Sequence, residues 1–92
     1  MRSLFRRKQF KKDFKKISRN PRFDRSELEH LLTHLLSGEM LEAHYRNHLL
    51  SGEFANCYEC HVQSDVLLIY SIDEECGVVY LQRIGSHSDL FA

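Results

Sequence analysis

"YECHVQSDVLLIYSIDEECGVVYLQ", residues 58–82, decides the fold. It is the centre of three strand-like runs separated by short polar gaps. Phe54, Tyr58, Cys60 and Val62 share one parity in the first run. Val66, Leu68, Tyr70 and Ile72 share parity in the second, and Val79 and Leu81 in the third. Side chains of one parity line one face of a strand. The second run is apolar on both parities, which predicts a central strand. Gln63-Ser64 and Asp73 to Gly77 join the runs. Connections this short force antiparallel neighbours. The pattern is a small antiparallel meander.

Upstream, the period changes. Phe10, Phe14 and Ile17 recur at helical spacing among lysines, predicting an amphipathic helix over about residues 8–19. Asn20-Pro21 breaks it. Asp24, followed three residues later by Glu27, reads as a capping box. Leu28, Leu31, Leu32, Leu35 and Leu36 then mark a helix with one buried face, ending at Ser37-Gly38. Residues 2–6 read as a short edge strand or as the start of a helix. Residues 39–52 lack a clean period and read as a long connection, a place where function concentrates. The expectation is an α+β fold, with two N-terminal helices packed on one face of the meander, in a single domain spanning 1–92. A chain of 92 residues with 42% hydrophobic residues and one proline suits one small core and excludes disorder. No stretch reaches the length of a membrane span. A charged run from Arg6 to Lys16 stands where a signal peptide has its apolar core, so a soluble, cytoplasmic protein is expected.

The formal net charge of zero hides a division. Met1 to Arg25 carries eleven Lys/Arg against Asp13 and Asp24. From Ser26 onward only Arg46 and Arg83 are basic, against eleven acids. A basic end of this kind tracks phosphates, binds an acidic partner, or simply solvates a helix face.

Cys57-Tyr58-Glu59-Cys60-His61 has the C-x-x-C-H spacing of covalent haem attachment. On a strand, however, residues three apart point to opposite faces, so the two thiols diverge. Zinc would draw on Cys57, Cys60, His61 and Cys76, but no second C-x-x-C or H-x-x-H completes four ligands. The cysteines read as free thiols acting as small hydrophobes. His30 and His34 are spaced to share a metal on one helix face. They read instead as solvent-facing helix histidines, and neither they nor His44 belong to the motifs above. No metal or cofactor is expected.

An up-down-up meander brings the end of its first strand, the start of its second and the end of its third to one edge. His61, Asp65, Arg83 and His87 gather there. Two histidines exchange protons near neutral pH, and a guanidinium suits a phosphate. A polar sheet rim is the alternative reading of the same four residues.

Three blocks, "HLLSGEF" (48–54), "YECHVQSDVLLIY" (58–70) and "LQRIGSHSDLF" (81–91), resemble the YafQ-type toxins of the RelE/ParE superfamily. The resemblance implies a RelE-like toxin of a type II toxin–antitoxin pair, a ribosome-dependent endoribonuclease that cuts translated mRNA. It implies a cognate antitoxin, ribosome and mRNA as partners, DNA contact only through the antitoxin complex, and no cofactor. It carries over His48, His61, Asp65 and His87 as catalytic, and Arg83 and Phe91 as substrate-binding. RNA cleavage by side chains needs a base for the 2′-OH, a cation at the phosphorane and an acid for the leaving 5′ oxygen. His87 is then the acid and Arg83 the phosphate stabiliser. His48 or His61 is the base, with Asp65 orienting a histidine or sharing that role. Phe91 stacks on a base or plugs the C-terminus against the core.

Asn47 replaces the family's common Asp, and Ser64-Asp65-Val66 its Pro-Asp-Trp. Two other readings stay open on sequence: a ParE-type gyrase inhibitor, whose members lack these histidines, and a degenerate antitoxin-binding module. The C-terminal half is acidic, so the basic N-terminal segment must supply the attraction to ribosomal RNA. Charge reversal at Lys11, Lys12, Lys15 and Lys16 is expected to weaken ribosome binding and flatten its salt dependence. Sedimentation across a salt series checks this, and unchanged binding counts against it.

Overall fold

In the computed structural model, which describes residues 1–91, the chain begins with strand β1 (Ser3–Arg6). Helices α1 (Lys8–Ile17) and α2 (Arg25–Ser37) follow. After a 3-10 turn at Ala43–Tyr45 come strand β2 (His48–Leu49) and a second 3-10 turn at Gly52–Phe54. Strands β3 (Tyr58–Gln63), β4 (Val66–Asp73) and β5 (Val78–Gly85) precede a short helix α3 (His87–Phe91). The sheet runs β1-β5-β4-β3-β2. Its core is the expected meander, with β4 antiparallel to both β3 and β5.

Two strands enlarge it. Residues 2–6 resolve as an edge strand, and β1 pairs parallel to β5, so the sheet is mixed rather than wholly antiparallel. The intervening helices make that parallel return possible. The long connection contains β2, which extends the other edge by pairing with β3.

The helices form where the periodicity places them. Asp24 caps α2 by accepting the Glu27 backbone N–H at 3.1 Å. Glu27 does not close the box; its carboxylate accepts the Tyr45 hydroxyl at 2.7 Å instead. Gly38 ends α2 in the left-handed conformation at φ 81°. Phe10 from α1 and Leu28, Leu31 and Leu35 from α2 pack on Cys60, Val62, Val66, Leu68, Tyr70, Val79, Leu81 and Ile84.

The opposite face is covered as well, which the sequence did not signal. Leu67 and Ile69 of β4 meet Leu90 of α3, flanked by Leu50, Phe54 and Cys57. Phe54 thus sits on the face opposite Cys60 and Val62, contrary to its parity. The 3-10 turn at Gly52–Phe54 and a left-handed Asn56 (φ 71°) reset the alternation before β3 begins.

A second reset positions Arg83. Strict alternation from Val79 and Leu81 would carry Arg83 onto the core face. The register shifts between Ile69 and Tyr70, so that Ile69 opposes Arg83 while Tyr70 opposes Leu81. Gln82 is the extra residue of a β-bulge. The bulge takes Arg83 out of the core series and puts Ile84 into it, where only 1% of Ile84 is exposed. Among the described residues, no helix is long and apolar enough to cross a membrane.

Leu31 is fully buried, and Leu31→Ala is expected to lower the unfolding free energy by about 3 kcal/mol. Removing the cap with Asp24→Ala is expected to cost about 1 kcal/mol. Urea denaturation compares the two; similar losses would contradict the assigned packing.

Candidate active site

The face opposite α2 carries His48, Glu59 and His61. His48 on β2 opposes Glu59 on β3, Glu59 opposes Ile69 on β4, and Ile69 opposes Arg83 on β5. These four positions form one row across four strands. In the next row His61 opposes Leu67, and Leu67 opposes Gly85. Glu59 and His61, two apart on β3, share a face.

Glu59 joins the two histidines. Nε2 of His48 lies 3.3 Å from its Oε1, and Nε2 of His61 lies 3.8 Å from the same oxygen. The Glu59 side chain is 10% exposed. A carboxylate withdrawn from water this far is costly unless positive groups and hydrogen bonds compensate it. His48 is oriented from behind, since its Nδ1 faces the Arg46 carbonyl at 2.9 Å. A ring nitrogen facing a carbonyl carries a proton. The proton that His48 can exchange is therefore the one on Nε2, beside Glu59.

Arg83 joins the row of His48 and Glu59 by register, but its guanidinium turns to Asp13 of α1, which lies along the part of β5 that β1 leaves unpaired. Its Nε donates to Oδ2 at 2.7 Å and its Nη2 to Oδ1 at 3.2 Å. Asp13 also accepts the Ile84 N–H at 3.2 Å and the Gln9 amide at 3.1 Å. The hydrogen bond to Asp13 raises the guanidinium pKa above its ordinary value. A guanidinium has five N–H donors, so Asp13 fixes its plane and leaves three for another ligand.

Arg83 and Asp65 line a cleft of about 410 Å³ between α1 and the start of α3, together with Lys12, Lys16 and Asp89. Asp65 occupies the β3–β4 turn at φ 63°, a left-handed conformation that aspartate tolerates. Among the described residues, no ion pair within 4.0 Å joins Asp65 to a histidine; the carboxylate between His48 and His61 is Glu59.

His87 opens α3, and a reciprocal cap holds that helix. Ser86 N–H donates to Asp89 at 3.2 Å, and Asp89 N–H donates to the Ser86 hydroxyl at 3.1 Å. Lys16 reaches Asp89 at 3.1 Å. The Ser86 N–H, then the Ser86 hydroxyl and Lys16, hold the Asp89 carboxyl below the usual carboxylate range. A Cβ at Gly85 would crowd the Asp89 side chain at 3.2 Å, so Asp89 would have to shift by a few tenths of an ångström. The His87 ring lies on Phe91 with centroids 5.1 Å apart, and Phe91 meets Phe54 edge-on at 5.8 Å. Leu90 anchors α3 on Leu67 and Ile69. The His87–Phe91 pair thus flanks the apolar patch of Leu67, Ile69 and Leu90, whereas the Arg83–Asp65 cleft opens beside α1 and is lined by Val66 and Ile84 of the main core.

The two cysteines of the C-x-x-C-H stretch part as expected. Cys60 is in the main core and Cys57 packs with the second cluster on the other face. Burial pushes both thiols up, so they stay protonated. Asn47, where the family commonly has Asp, accepts a hydrogen bond from the buried Tyr70 hydroxyl.

A mixed sheet with two helices on one face, histidines and a carboxylate on the other, and an arginine beside α1, is the architecture of small type II toxins. The family described as bacterial toxin of type II toxin–antitoxin system, YafQ, matches residues 2–92, and the chain belongs to it. The mRNA interferase toxin YafQ of Escherichia coli K12 is 31% identical over 84 residues, covering 90% of this chain and 88% of that protein. A metal-bound toxin from Helicobacter pylori superposes with a TM-score of 0.90 at 35% identity, over 99% of this chain and 100% of that one. YafQ in the E. coli DinJ–YafQ complex superposes with a TM-score of 0.88 at 29% identity, over the whole of both chains.

Three contributors escaped the sequence reading. Glu59 shares parity with His61, a legible signal. Asp13 is the lone acid within a run of lysines, which is a weak one. The S-x-x-D spacing of Ser86 and Asp89 is a cap signature. Asp13→Ala leaves the Arg83 guanidinium and the Ile84 N–H without their partner. A loss of about 2 kcal/mol in unfolding free energy is expected, measured by chemical denaturation. A loss near zero would mean that the pair is not maintained in solution.

Proposed function

We propose that this chain is a ribosome-dependent endoribonuclease that cleaves translated mRNA by general acid–base catalysis without a metal, and that a cognate antitoxin holds it inactive. The observation that carries this reading is the row of His48, Glu59 and Arg83 across the sheet, with His61 beside it. It offers a proton acceptor and, at the end of the row beside α1, a phosphate-binding cation. E. coli relatives named mRNA interferases, one of them crystallised with the antitoxin DinJ, support it.

The chemistry runs as follows. The base withdraws the proton of a 2′-OH, and the 2′ oxygen forms a bond to the adjacent phosphorus. Arg83 neutralises charge on the phosphorane through the donors that Asp13 leaves free. The bond from phosphorus to the 5′ oxygen breaks, and His87 protonates that oxygen. Glu59 acts with His48 and His61 as the proton-accepting unit. The carboxylate stabilises whichever imidazole becomes charged. Asp65, beside Arg83 in the cleft, bounds the phosphate site. Phe91 offers an aromatic face to a base, already oriented by Phe54 and His87. The toxin acts in the cytoplasm, where ribosomes and mRNA are, and reaches DNA only through its antitoxin.

His87→Ala and Glu59→Gln are each expected to slow cleavage on programmed ribosomes by about 10²- to 10⁴-fold. Mapping of mRNA 5′ ends gives the rate and the codon register. Wild-type-like cleavage by His87→Ala would remove the acid assignment, and wild-type-like cleavage by Glu59→Gln the role of the carboxylate.

A further inference from the structure

We propose that His30, His34 and Glu42 form a binding site for a late first-row divalent metal ion, with Zn²⁺ as the expected occupant. The site is separate from the proposed catalytic groups. It lies on α2, which packs against the face of the sheet opposite Glu59 and His61.

His30 and His34 are one helical turn apart and project from the same side of α2. Their rings meet at a centroid distance of 4.6 Å. Glu42, from the connection after α2, completes the group. Its Oε1 lies 2.9 Å from His30 Nε2 and 3.9 Å from His34 Nε2. One ligand atom from each residue falls within 4.8 Å of the others. Donors about 2.0 Å from a tetrahedral zinc lie about 3.3 Å from one another. The Glu42 oxygen brackets that spacing, at 2.9 Å from one nitrogen and 3.9 Å from the other, and side-chain rotation would draw His34 inward.

The tautomer is set as well. His34 Nδ1 faces the His30 carbonyl at 3.1 Å and therefore carries its proton. That leaves the lone pair of Nε2 directed at the other two donors, the arrangement by which an outer hydrogen bond prepares a histidine ligand. At His30, the metal replaces the proton that Nε2 shares with Glu42. Two imidazoles and one carboxylate suit zinc, copper or nickel rather than magnesium or calcium. His34 is 19% exposed, whereas His30 and Glu42 are half exposed, so the ion enters from solvent and keeps water in its remaining position. His44 approaches the other Glu42 oxygen through Nδ1 at 3.9 Å but lies outside the three-donor group, with its Nε2 facing Glu27 at 3.5 Å.

The position of Glu42 gives such an ion a consequence. Glu42 precedes the turn Ala43–Tyr45, whose Tyr45 is fully buried, and the next residue, Arg46, holds His48 through its carbonyl. An ion at the site ties α2 to the segment that ends at His48.

Calorimetric titration of the tag-free full chain with ZnCl₂, paired with thermal unfolding, tests this. One equivalent is expected to bind and to raise the unfolding midpoint. Both effects should vanish in His34→Gln and in Glu42→Gln. They should persist in Cys76→Ser and in the double variant His48→Gln/His61→Gln. Co²⁺ in place of Zn²⁺ should give ligand-field bands without a thiolate charge-transfer band. Circular dichroism of each variant without metal establishes that it is folded. No binding to the wild type would overturn the proposal. So would binding retained by folded His34→Gln and Glu42→Gln, or binding lost in Cys76→Ser or in the double variant.

Discussion

Over Val66 to Tyr70, strand β4 has no wet face. Val66, Leu67, Leu68, Ile69 and Tyr70 are all buried, with alternate residues pointing to opposite sides of the sheet. Burying each such side chain is worth about 1.5–3 kcal/mol relative to leaving it exposed. Covering only one side would forfeit about half of that. The helices α1 and α2 cover one side. The other is covered by Leu50, Phe54 and Cys57 from the β2–β3 segment and by Leu90 from α3. The segments that shield the second side also carry His48, His87 and Phe91. The apolar demand of one strand therefore brings the polar residues of the site to its borders.

Charge within the site is balanced rather than uniformly positive. Lys12, Lys16 and Arg83 line the cleft against Asp13, Asp65 and Asp89. Arg83 is paired with Asp13, and Lys16 with Asp89. In the proposed function, such a cleft would orient a phosphate more than attract one. Long-range attraction falls to the exposed lysines of α1 outside the cleft, Lys8, Lys11 and Lys15. In the proposed reaction, the bidentate Asp13 pair would fix the arginine before substrate arrives. Pre-ordering of this kind removes reorganisation from the reaction itself. Glu59 stands in a comparable place: one largely buried carboxylate lies within 3.8 Å of two imidazoles that come from different strands.

The sequence revealed what repeats. Period-two alternation in residues 58–81 yields the meander, and period-3.6 leucines yield α2 with its Asp24 cap. It concealed what depends on a single irregular residue. No local pattern marks Gln82 as a bulge, because a bulge is fixed by competition between Ile84 and Arg83 for the core. Phe54 defeated parity because Asn56 turns left-handed between it and β3. The short β1 could not be told from a helix start, since its pairing with β5 is set by distant residues. His48 was found through resemblance alone, and its neighbour Glu59 was passed over. An acid on a strand reads as solvent-facing until a partner strand is placed beside it.

The most direct measurement is the pH–rate profile of single-turnover cleavage on programmed ribosomes. It is taken for the wild type, for Glu59→Gln and for His87→Gln. A bell is expected for the wild type, with an acid limb from the proton acceptor and a basic limb from the proton donor. Glu59→Gln should alter the acid limb and keep the basic one. His87→Gln should remove the basic limb and keep the acid one. Identical profiles for all three proteins would contradict a mechanism in which Glu59 and His87 manage the two proton transfers.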